Sequence, residues 1–266
     1  MLTAVRHFGY VGIGATLPQL FRADDKKFYV VKCQTNQLGS KVLANEMLAS
    51  KLGELWGLRF PFGTIIEIKE ETILKSRKLQ ELGIRPGRHF ASQYLNHTEY
   101  LHGNNLFKAK NINEIAGVLL FDHIFHNGDR TNNKKNLLLR KERGGCHIYA
   151  IDNSHLFRST RWTVEHLNKI AATVRPYCRY SYGLLLKSWL CPIHFHPYIK
   201  RVKVLSSQTI QEVVAKIPEE WLPEKEERQA LLQYILFRRD RIEEISEVIF
   251  KQIPKVRSGH GRHTVE

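Results

Sequence analysis

The sequence has few cysteines and no long apolar run. Its 266 residues include only four cysteines, at positions 33, 146, 178 and 191, and none of them forms a C-x-x-C pair. Scattered cysteines of this kind exclude a disulfide framework and suit a reducing compartment. No stretch reaches the about 20 apolar residues that a membrane-spanning helix needs. The N-terminus also lacks the basic and apolar regions of a signal peptide. We therefore expect a soluble, cytoplasmic protein.

Acidic residues are scarce as well. The chain carries 26 Asp and Glu against 41 Lys and Arg, which gives a formal charge of +15 at pH 7. A basic surface attracts nucleic acid, anionic lipid, nucleotides or acidic proteins through its long-range field. Charge alone does not choose among these partners, and a solvated basic face that only aids solubility explains it equally well. Nucleic acid therefore stays a candidate partner.

Apolar residues are abundant enough for a folded core. They make up 42% of the chain, and aromatic residues make up 10%, so a largely disordered chain is excluded. A chain of this length forms one or two domains. It contains no internal repeat, and without a G-x-S-x-G motif there is no support for serine-hydrolase chemistry.

The N-terminal part of the chain is rich in predicted strands. Two short apolar runs, Leu17–Arg22 and Phe28–Cys33, flank a polar turn in the pattern of a hairpin. Residues 41–56 have the apolar periodicity of a helix. Further strands are predicted at Thr64–Ile68 and His89–Leu95.

The rest of the chain is predicted to be mainly helical. An apolar helix over Asn113–Phe125 ends at a polar loop, and two short strands, Leu137–Arg140 and His147–Ile151, form a second hairpin. The long amphipathic segment Glu224–Phe250 is predicted to be helical. Residues 251–266 are expected to form a disordered basic tail.

Two carboxylates and an amide lie at the ends of this second hairpin. Asp129 is in the polar loop, Asn136 directly precedes the first strand and Asp152 ends the second. Because antiparallel strands of matched length bring their ends together, we expect the three side chains to converge. Oxygen ligands of this kind suit Mg²⁺, which keeps waters and phosphate oxygens in its shell. Kinases use the same order of Asp, Asn and a second Asp after a hairpin.

A cation and a covering loop complete the predicted phosphate site. Lys32 ends a strand and Glu46 lies on the following helix, an arrangement that orients a phosphate-binding lysine. Gly12 and Gly14 give only part of a G-x-G-x-x-G pattern. A strand rather than a helix follows them, which disfavours a dinucleotide-binding fold and favours a β-turn that covers phosphate with backbone N–H groups.

Three runs of the sequence resemble the HipA-like kinases, distant relatives of the protein and lipid kinases. They are VVKCQTNQLGSKVLANE, FDHIFHNGDRTNNKKNLLL and YAIDNSHLF. The resemblance covers about residues 8–160, and the run Asn-Gly-Asp-Arg is its most specific part. It implies an α+β, two-lobed protein-kinase-like fold. The β-rich N-terminal lobe would comprise residues 1–96, and the mainly helical C-terminal lobe residues 97–250.

The resemblance also implies a role for each candidate catalytic and metal-binding residue. Lys32 would contact the phosphates of ATP, and Glu46 would pair with Lys32. Asp129 would be the catalytic base. Asn136 and Asp152 would bind Mg²⁺, with Asp152 as the main metal-binding carboxylate.

A hinge segment, Phe90–Leu95, corresponds in the resemblance to the part of a kinase that meets the adenine. Gln93 and Tyr94 in this segment, together with Gly12 and Gly14 in the glycine loop, are therefore expected to contact the nucleotide. ATP and Mg²⁺ are the expected cofactors.

The sequence departs from the family pattern at one metal-binding position. Lys134 stands where the family has its metal-binding Asn, five residues after the catalytic Asp. Either Asn133 or Asn136 must serve instead, and we favour Asn136 because it directly precedes the strand. By the same resemblance, Asp122 and Asn127 would brace the catalytic loop.

The predicted function is phosphoryl transfer from ATP to a hydroxyl, that of Ser or Thr in a protein. One alternative is a catalytically weak pseudokinase that binds nucleotide, nucleic acid or protein, which Lys134 and the reduced glycine loop leave open. A second alternative is an enzyme of the same fold that transfers AMP or phosphorylates a small molecule. The resemblance fades beyond residue 160, so the acceptor itself is not named.

Overall fold

A five-stranded barrel forms the N-terminal part of the computed structural model. The structure describes residues 1–12 and 14–255, so Ile13 and residues 256–266, which hold most of the predicted basic tail, lie outside the described residues. The barrel strands are β1 (Leu2–Tyr10), β2 (Gln19–Ala23), β3 (Phe28–Lys32), β4 (Gly63–Ile68) and β5 (Gly87–Gln93). They close in the order β1, β2, β3, β5, β4, and only the pair of β1 with β4 is parallel.

The barrel has its own apolar core because alternate side chains along each strand point inward. Phe21, Val31, Ile66 and Ala91 come from four different strands, and all are fully buried in this cluster. Two short helices, α2 (Glu70–Leu74) and α3 (Arg77–Glu81), connect β4 to β5.

Helix α1 (Lys41–Trp56) follows β3 and belongs to a different core. Twelve of its 16 residues are buried, so it is a core helix rather than a surface one. Its apolar side chains, including Leu48 and Trp56, share one cluster with the C-terminal helices. The helix ends at Gly57, whose φ of 68° is a left-handed conformation that glycine adopts without strain.

The C-terminal part contains a three-stranded sheet and eight α-helices among the described residues. The sheet has the order β6 (Thr98–Tyr100), β7 (Leu137–Glu142) and β8 (Gly145–Ala150). The helices are α4 (Ile115–Ile124), α5 (Gly128–Asn132), α6 (Val164–Ala171), α7 (Tyr180–Ser188), α8 (Pro192–Lys203), α9 (Ser207–Ala215), α10 (Lys225–Asp240) and α11 (Ile242–Phe250). No helix in the described part is both long and apolar enough to cross a membrane.

The amphipathic segment Glu224–Phe250 is helical, but it consists of two helices. The segment is broken at Arg241, where φ is −99° and ψ is 17°, into α10 and α11. The Arg241 guanidinium donates to the Ala172 carbonyl at 2.7 Å and also pairs with Glu244. A tertiary contact therefore fixes the position of the break, and the apolar periodicity does not reveal it.

Other element boundaries also differ from the sequence-based expectation. The polar loop that carries Asp129 contains the short helix α5, and the predicted helix over Asn113–Phe125 begins only at Ile115, after a 3-10 turn. The first strand begins at Leu2 rather than in the glycine-rich stretch. The division of the chain at residue 96 stays a prediction.

Candidate active site

A cavity of about 350 Å³ lies between the barrel and the β6–β8 sheet. Its lining includes eight of the nine predicted site residues: Gly12, Gly14, Lys32, Glu46, Gln93, Tyr94, Asn136 and Asp152. The ninth, Asp129, adjoins the wall through a hydrogen bond to Asn136. Lys135 also lines the cavity and was not named from the sequence. The roles of all these residues stay predictions.

Lys32 joins two carboxylates at the floor of the cavity. Its Nζ donates to Glu46 on α1 and, at 2.8 Å, to Asp152 Oδ1 beyond the end of β8. Only about a tenth of the Lys32 side chain is exposed, whereas 30% of the Asp152 side chain is. The ammonium group is therefore fixed at the point where the barrel, α1 and the β7–β8 hairpin meet.

The charges of this cluster shift the pKa values of its members. Burial alone would lower the pKa of Lys32, but the neighbouring charges of Asp152 and Glu46 outweigh it and raise the pKa above its usual value. Burial alone would raise the pKa of Asp152, but Lys32 and hydrogen bonds from Ser154 hold it well below its usual value. Lys32 is therefore cationic and Asp152 anionic throughout the physiological pH range.

The backbone around Asp152 is held in an unusual conformation. Asp152 has a φ of 60°, in the left-handed region that Asp and Asn tolerate better than most residues. The backbone N–H and the hydroxyl of Ser154 both donate to Asp152 Oδ1. The Asn153 N–H donates to Glu46 at 3.0 Å. These bonds orient the carboxylate and leave its Oδ2 without a donor among the described residues.

Asn45, which was not identified from the sequence, connects this segment to α1. Its Nδ2 donates to the Ser154 carbonyl at 2.8 Å, and its Oδ1 accepts the indole N–H of Trp162 at 2.9 Å. Asn45 is buried in the middle of a helix, where an amide needs such partners. In the sequence, Asn45 stands out only as a polar residue next to Glu46 in an apolar helix. Its hydrogen-bond partners are more than 100 residues away, so the sequence does not identify them.

Asn136 faces the cavity, and Asn133 does not. Asn136 Nδ2 donates to Asp129 Oδ2 at 2.6 Å, and no described residue donates to Asn136 Oδ1. Asn133 Oδ1 instead accepts the Lys135 N–H at 3.0 Å and so caps a 3-10 turn. Of the two candidates left by the sequence, only Asn136 lines the cavity.

Arg130 ties the loop of Asp129 to the segment of Asp152. It forms a fully buried ion pair with Asp122, which also accepts a hydrogen bond from Asn127 at 3.1 Å. The same guanidinium donates to Asn153 Oδ1 at 2.7 Å and to the Asp152 carbonyl at 3.2 Å. Asp122 and Asn127 thus lie behind the loop, as expected of bracing residues, and Arg130 extends that network.

The backbone N–H groups of the predicted hinge are used within the protein. The Gln93 N–H donates to the Phe62 carbonyl at 2.8 Å and the Tyr94 N–H to the Phe28 carbonyl at 2.9 Å. Gln93 and Tyr94 would therefore contact a base through carbonyl oxygens and side chains rather than through these N–H groups.

Three buried histidines use both ring nitrogens in hydrogen bonds of 2.6–3.1 Å. In each of His89, His123 and His126 one nitrogen faces a backbone carbonyl. The other accepts a backbone N–H in His89 and His123 and lies at hydrogen-bond distance from the Tyr177 hydroxyl in His126. Accepting an N–H requires a neutral ring in His89 and His123. Burial accordingly lowers the pKa of His89 and His123 to about 4 and that of His126 to about 3.

The free energy of unfolding is expected to fall between about pH 7 and pH 5.5. Below about pH 6.5 the unfolded chain takes up a proton at each of these histidines, whereas the folded chain does not until near pH 4. Protonation of each histidine in the unfolded chain then lowers the free energy of unfolding by up to about 1.4 kcal/mol per pH unit. Urea unfolding at the two pH values measures the difference. His89→Gln should reduce it by about one third, and an undiminished difference would contradict the assignment.

Comparisons with known proteins, by sequence and by structure, bear on the family and the fold. The sequence profile of the HipA-like kinases matches residues 9–252. The proline–tRNA ligase of Streptococcus gordonii (strain Challis) is 24% identical over 208 residues, which cover 66% of this chain and 33% of the ligase. The chain thus spans about one third of the length of this curated relative.

Solved structures of kinases share the fold at low sequence identity. The proinflammatory kinase CtkA of Helicobacter pylori is 11% identical, with a TM-score of 0.59 over 92% of this chain and 93% of its own. Hydra Fam20, solved with sugar, is 13% identical, with a TM-score of 0.55 over 95% and 88%. The Golgi casein kinase with Mn and ADP bound is 10% identical, with a TM-score of 0.51 over 95% and 74%. These similarities show a kinase-like α+β fold.

Proposed function

Since the chain belongs to the HipA-like kinase family, we propose that it is an ATP- and Mg²⁺-dependent phosphotransferase. It moves the γ-phosphate of ATP to a hydroxyl, that of Ser or Thr in a protein. The observation that carries this proposal is the buried Lys32, bonded to Glu46 and Asp152 at the floor of a cavity of about 350 Å³. A cation so oriented is the phosphate-binding element of kinases.

The cavity walls suit the parts of a nucleotide. Val30, Phe90, Leu138 and Ile151 give an apolar lining for a base. The glycine loop lies at the same cavity, and Gly12, with a φ of 80°, exposes its backbone without strain. Phosphates placed between this loop and Lys32 would be held by backbone N–H groups and by a fixed positive charge.

The oxygen atoms at the cavity wall fit a hard divalent cation. Asp152 Oδ2 and Asn136 Oδ1 have no donor among the described residues, and both residues line the cavity. Carboxylate and amide oxygens are suitable Mg²⁺ ligands, so these two residues would hold the ion. Bound Mg²⁺ would neutralise charge on the phosphate oxygens during transfer.

Asp129 is positioned to receive the proton of the acceptor hydroxyl. Its Oδ2 accepts the hydrogen bond from Asn136, and no described residue donates to its Oδ1. One carboxylate oxygen is thus used to orient the group, and the other is left for the substrate. This is the arrangement a general base requires.

The proposal is tested by incubating the protein with γ-labelled ATP, Mg²⁺ and a mixture of proteins. Label should appear on a protein hydroxyl, and mass spectrometry should find phosphate rather than AMP on the product. The Asp129→Asn variant is the matched control and should bind ATP without transferring label. Nucleotide binding without turnover by the wild type would contradict the proposal and identify a non-catalytic binding module.

A pair of asparagine variants tests the assignment of the metal ligand. Asn136→Ala is expected to lower transfer by at least about 100-fold, since it removes both a metal ligand and the partner of Asp129. It should also weaken Mn²⁺ binding, measured by electron paramagnetic resonance in the presence of ADP. Asn133→Ala is the matched control and should keep metal affinity within about threefold, because Asn133 only caps a turn. Greater loss of metal affinity in Asn133→Ala would reverse the assignment.

A further inference from the structure

A group of unpaired cations lies along the loop that carries Asp129. The segment between α6 and α7 runs beside this loop: the Thr131 hydroxyl exchanges hydrogen bonds of 2.9 and 3.0 Å with the backbone of Arg179. Three residues further along the loop, Lys134 Nζ lies 5.2 Å from the centre of the Tyr180 ring. Lys134 and Arg179 are both exposed.

Two more arginines lie near the Tyr177 ring, beside the same loop. The Tyr177 hydroxyl lies 2.9 Å from Nδ1 of His126, the residue two positions after the end of α4, so Tyr177 lies beside the first residues of the loop. Burial raises the pKa of Tyr177, and the nearby charges of Arg158 and Arg175 oppose that rise. Both arginines are exposed. We call Lys134, Arg158, Arg175 and Arg179 the basic rim.

The basic rim has no acidic partner in the described part of the chain. None of its four side chains lies within ion-pair distance of a described carboxylate. The surrounding sequence explains why: residues 153–203 hold nine lysines and arginines and a single acidic residue, Glu165. Residues 204–250 hold ten acidic residues and six basic ones. The excess of positive charge therefore lies in residues 153–203, the part of the chain that contains Arg158, Arg175 and Arg179.

From this placement, we propose that the basic rim binds acidic side chains that flank the acceptor hydroxyl. The preferred substrate is then a Ser or Thr within a run of Asp and Glu in a protein. This inference rests on the proposed phosphotransferase function and specifies its substrate class. Side chains a few residues from an acceptor at Asp129 can reach the rim, because an extended peptide advances about 3.3 Å per residue.

The rim offers few of the aromatic platforms that single-stranded nucleic acids need. Nonspecific nucleic-acid surfaces combine cations with ring faces on which successive bases stack. The Tyr177 ring is packed against the loop, 3.0 Å from where a Cβ on Gly128 would lie, and Lys134 lies over the exposed Tyr180 ring. One exposed ring beside four cations favours carboxylates over a run of stacked bases.

Binding of short fluorescent peptides to the full chain tests this inference. The peptides carry Ala at the acceptor position, flanked either by Glu or by Gln, and fluorescence anisotropy is measured at low salt without ATP. The Glu peptide should bind at least about tenfold more tightly, as several exposed ion pairs together would give. The difference should shrink as salt is added. Equal affinities for the two peptides would overturn the inference.

Two charge-reversal variants distinguish peptide binding at the basic rim from the general attraction of an acidic peptide to a basic protein. Arg175→Glu/Arg179→Glu should lose the preference for the Glu peptide, while its melting temperature and ATP affinity stay unchanged. Lys75→Glu/Lys78→Glu makes the same change of charge near α2 and α3, at exposed positions, and should retain the preference within about twofold. An equal loss in both variants would overturn the inference. If the first variant fails to fold, Lys134→Glu is compared with Lys75→Glu, which makes the same single reversal of charge.

Two further measurements distinguish the remaining outcomes. A single-stranded RNA that binds more tightly than the Glu peptide, and is released by Arg175→Glu/Arg179→Glu, would assign the rim to nucleic acid and overturn the inference. Transfer from labelled ATP is assayed on Ser versions of both peptides with the same preparations. Equal transfer to both would overturn the acidic preference and leave the phosphotransferase intact. Absence of ATP turnover with every acceptor would instead refute the proposed function.

Discussion

Replacing Asp129 with Asn is expected to lower phosphoryl transfer by about 10²–10⁴-fold, the usual contribution of a general base. The amide cannot take the proton of the acceptor hydroxyl, but its oxygen can still accept the hydrogen bond from Asn136. The loop should therefore keep its geometry. Single-turnover transfer from labelled ATP measures the rate, and thermal unfolding and ATP binding should match those of the wild type.

Asn132→Ser is the matched control for this substitution, because Asn132 is exposed on the same short helix as Asp129. Its transfer rate should stay within about threefold of the wild type, as expected of a surface position. A wild-type rate for Asp129→Asn would remove Asp129 from the chemistry. A parallel fall in melting temperature would show instead that the residue is needed to hold the loop.

Replacing Lys32 with Met is expected to lower the free energy of unfolding by about 3–5 kcal/mol, because it leaves buried charge without its partner. Glu46 and Asp152 both bond to Lys32, and without it the two carboxylates face each other. Urea unfolding at neutral pH measures the loss. Lys27→Met is the control: this lysine precedes the same strand with 63% of its side chain exposed, and its loss should cost less than about 0.5 kcal/mol.

The double variant Lys32→Met/Glu46→Gln separates the structural role of Lys32 from its chemical role. Removing the Glu46 charge should restore much of the lost stability, since the partly exposed Asp152 can be hydrated. The Gln side chain can still accept the Asn153 N–H. Phosphoryl transfer should stay lost, because nothing replaces the cation at the phosphates. A double variant no more stable than Lys32→Met would contradict this account of the charge cluster.

The closeness of Asn136 and Asp152 was predictable because it depends only on the order of residues along the second hairpin. The second hairpin was predicted from two apolar runs, and the register of β7 with β8 pairs Leu137 with Ala150. The residues just outside this pair, Asn136 and Ile151, are joined by a backbone hydrogen bond of 3.0 Å. Residues before the first strand and after the second must therefore lie side by side, and sequence order was enough to expect it.

The remaining features depend on contacts that sequence patterns do not encode. Asn45 reaches Trp162, and Arg130 reaches Asn153, across 117 and 23 residues. The parallel pairing of β1 with β4 that closes the barrel joins Leu2 to Ile66, with no turn or periodicity to signal it. The apolar periodicity of α10 continues into α11, so it gives no sign of the break at Arg241. The kinase-like α+β fold was confirmed by the structural neighbours, whereas the two-lobed division and the roles of the individual site residues stay predictions.

Because of the positive φ of Asp152, the proposed activity would be easy to lose by mutation without loss of the chain's shape. Asp codons differ by a single base from codons for Asn and Gly, which are the other residues that favour a φ near 60°. Either change would leave Lys32 paired one to one with Glu46, so the interior would keep a balanced charge. If Asp152 holds the metal ion as proposed, a folded, ligand-binding but inactive variant would be one mutation away, whereas loss of Lys32 would first have to overcome instability.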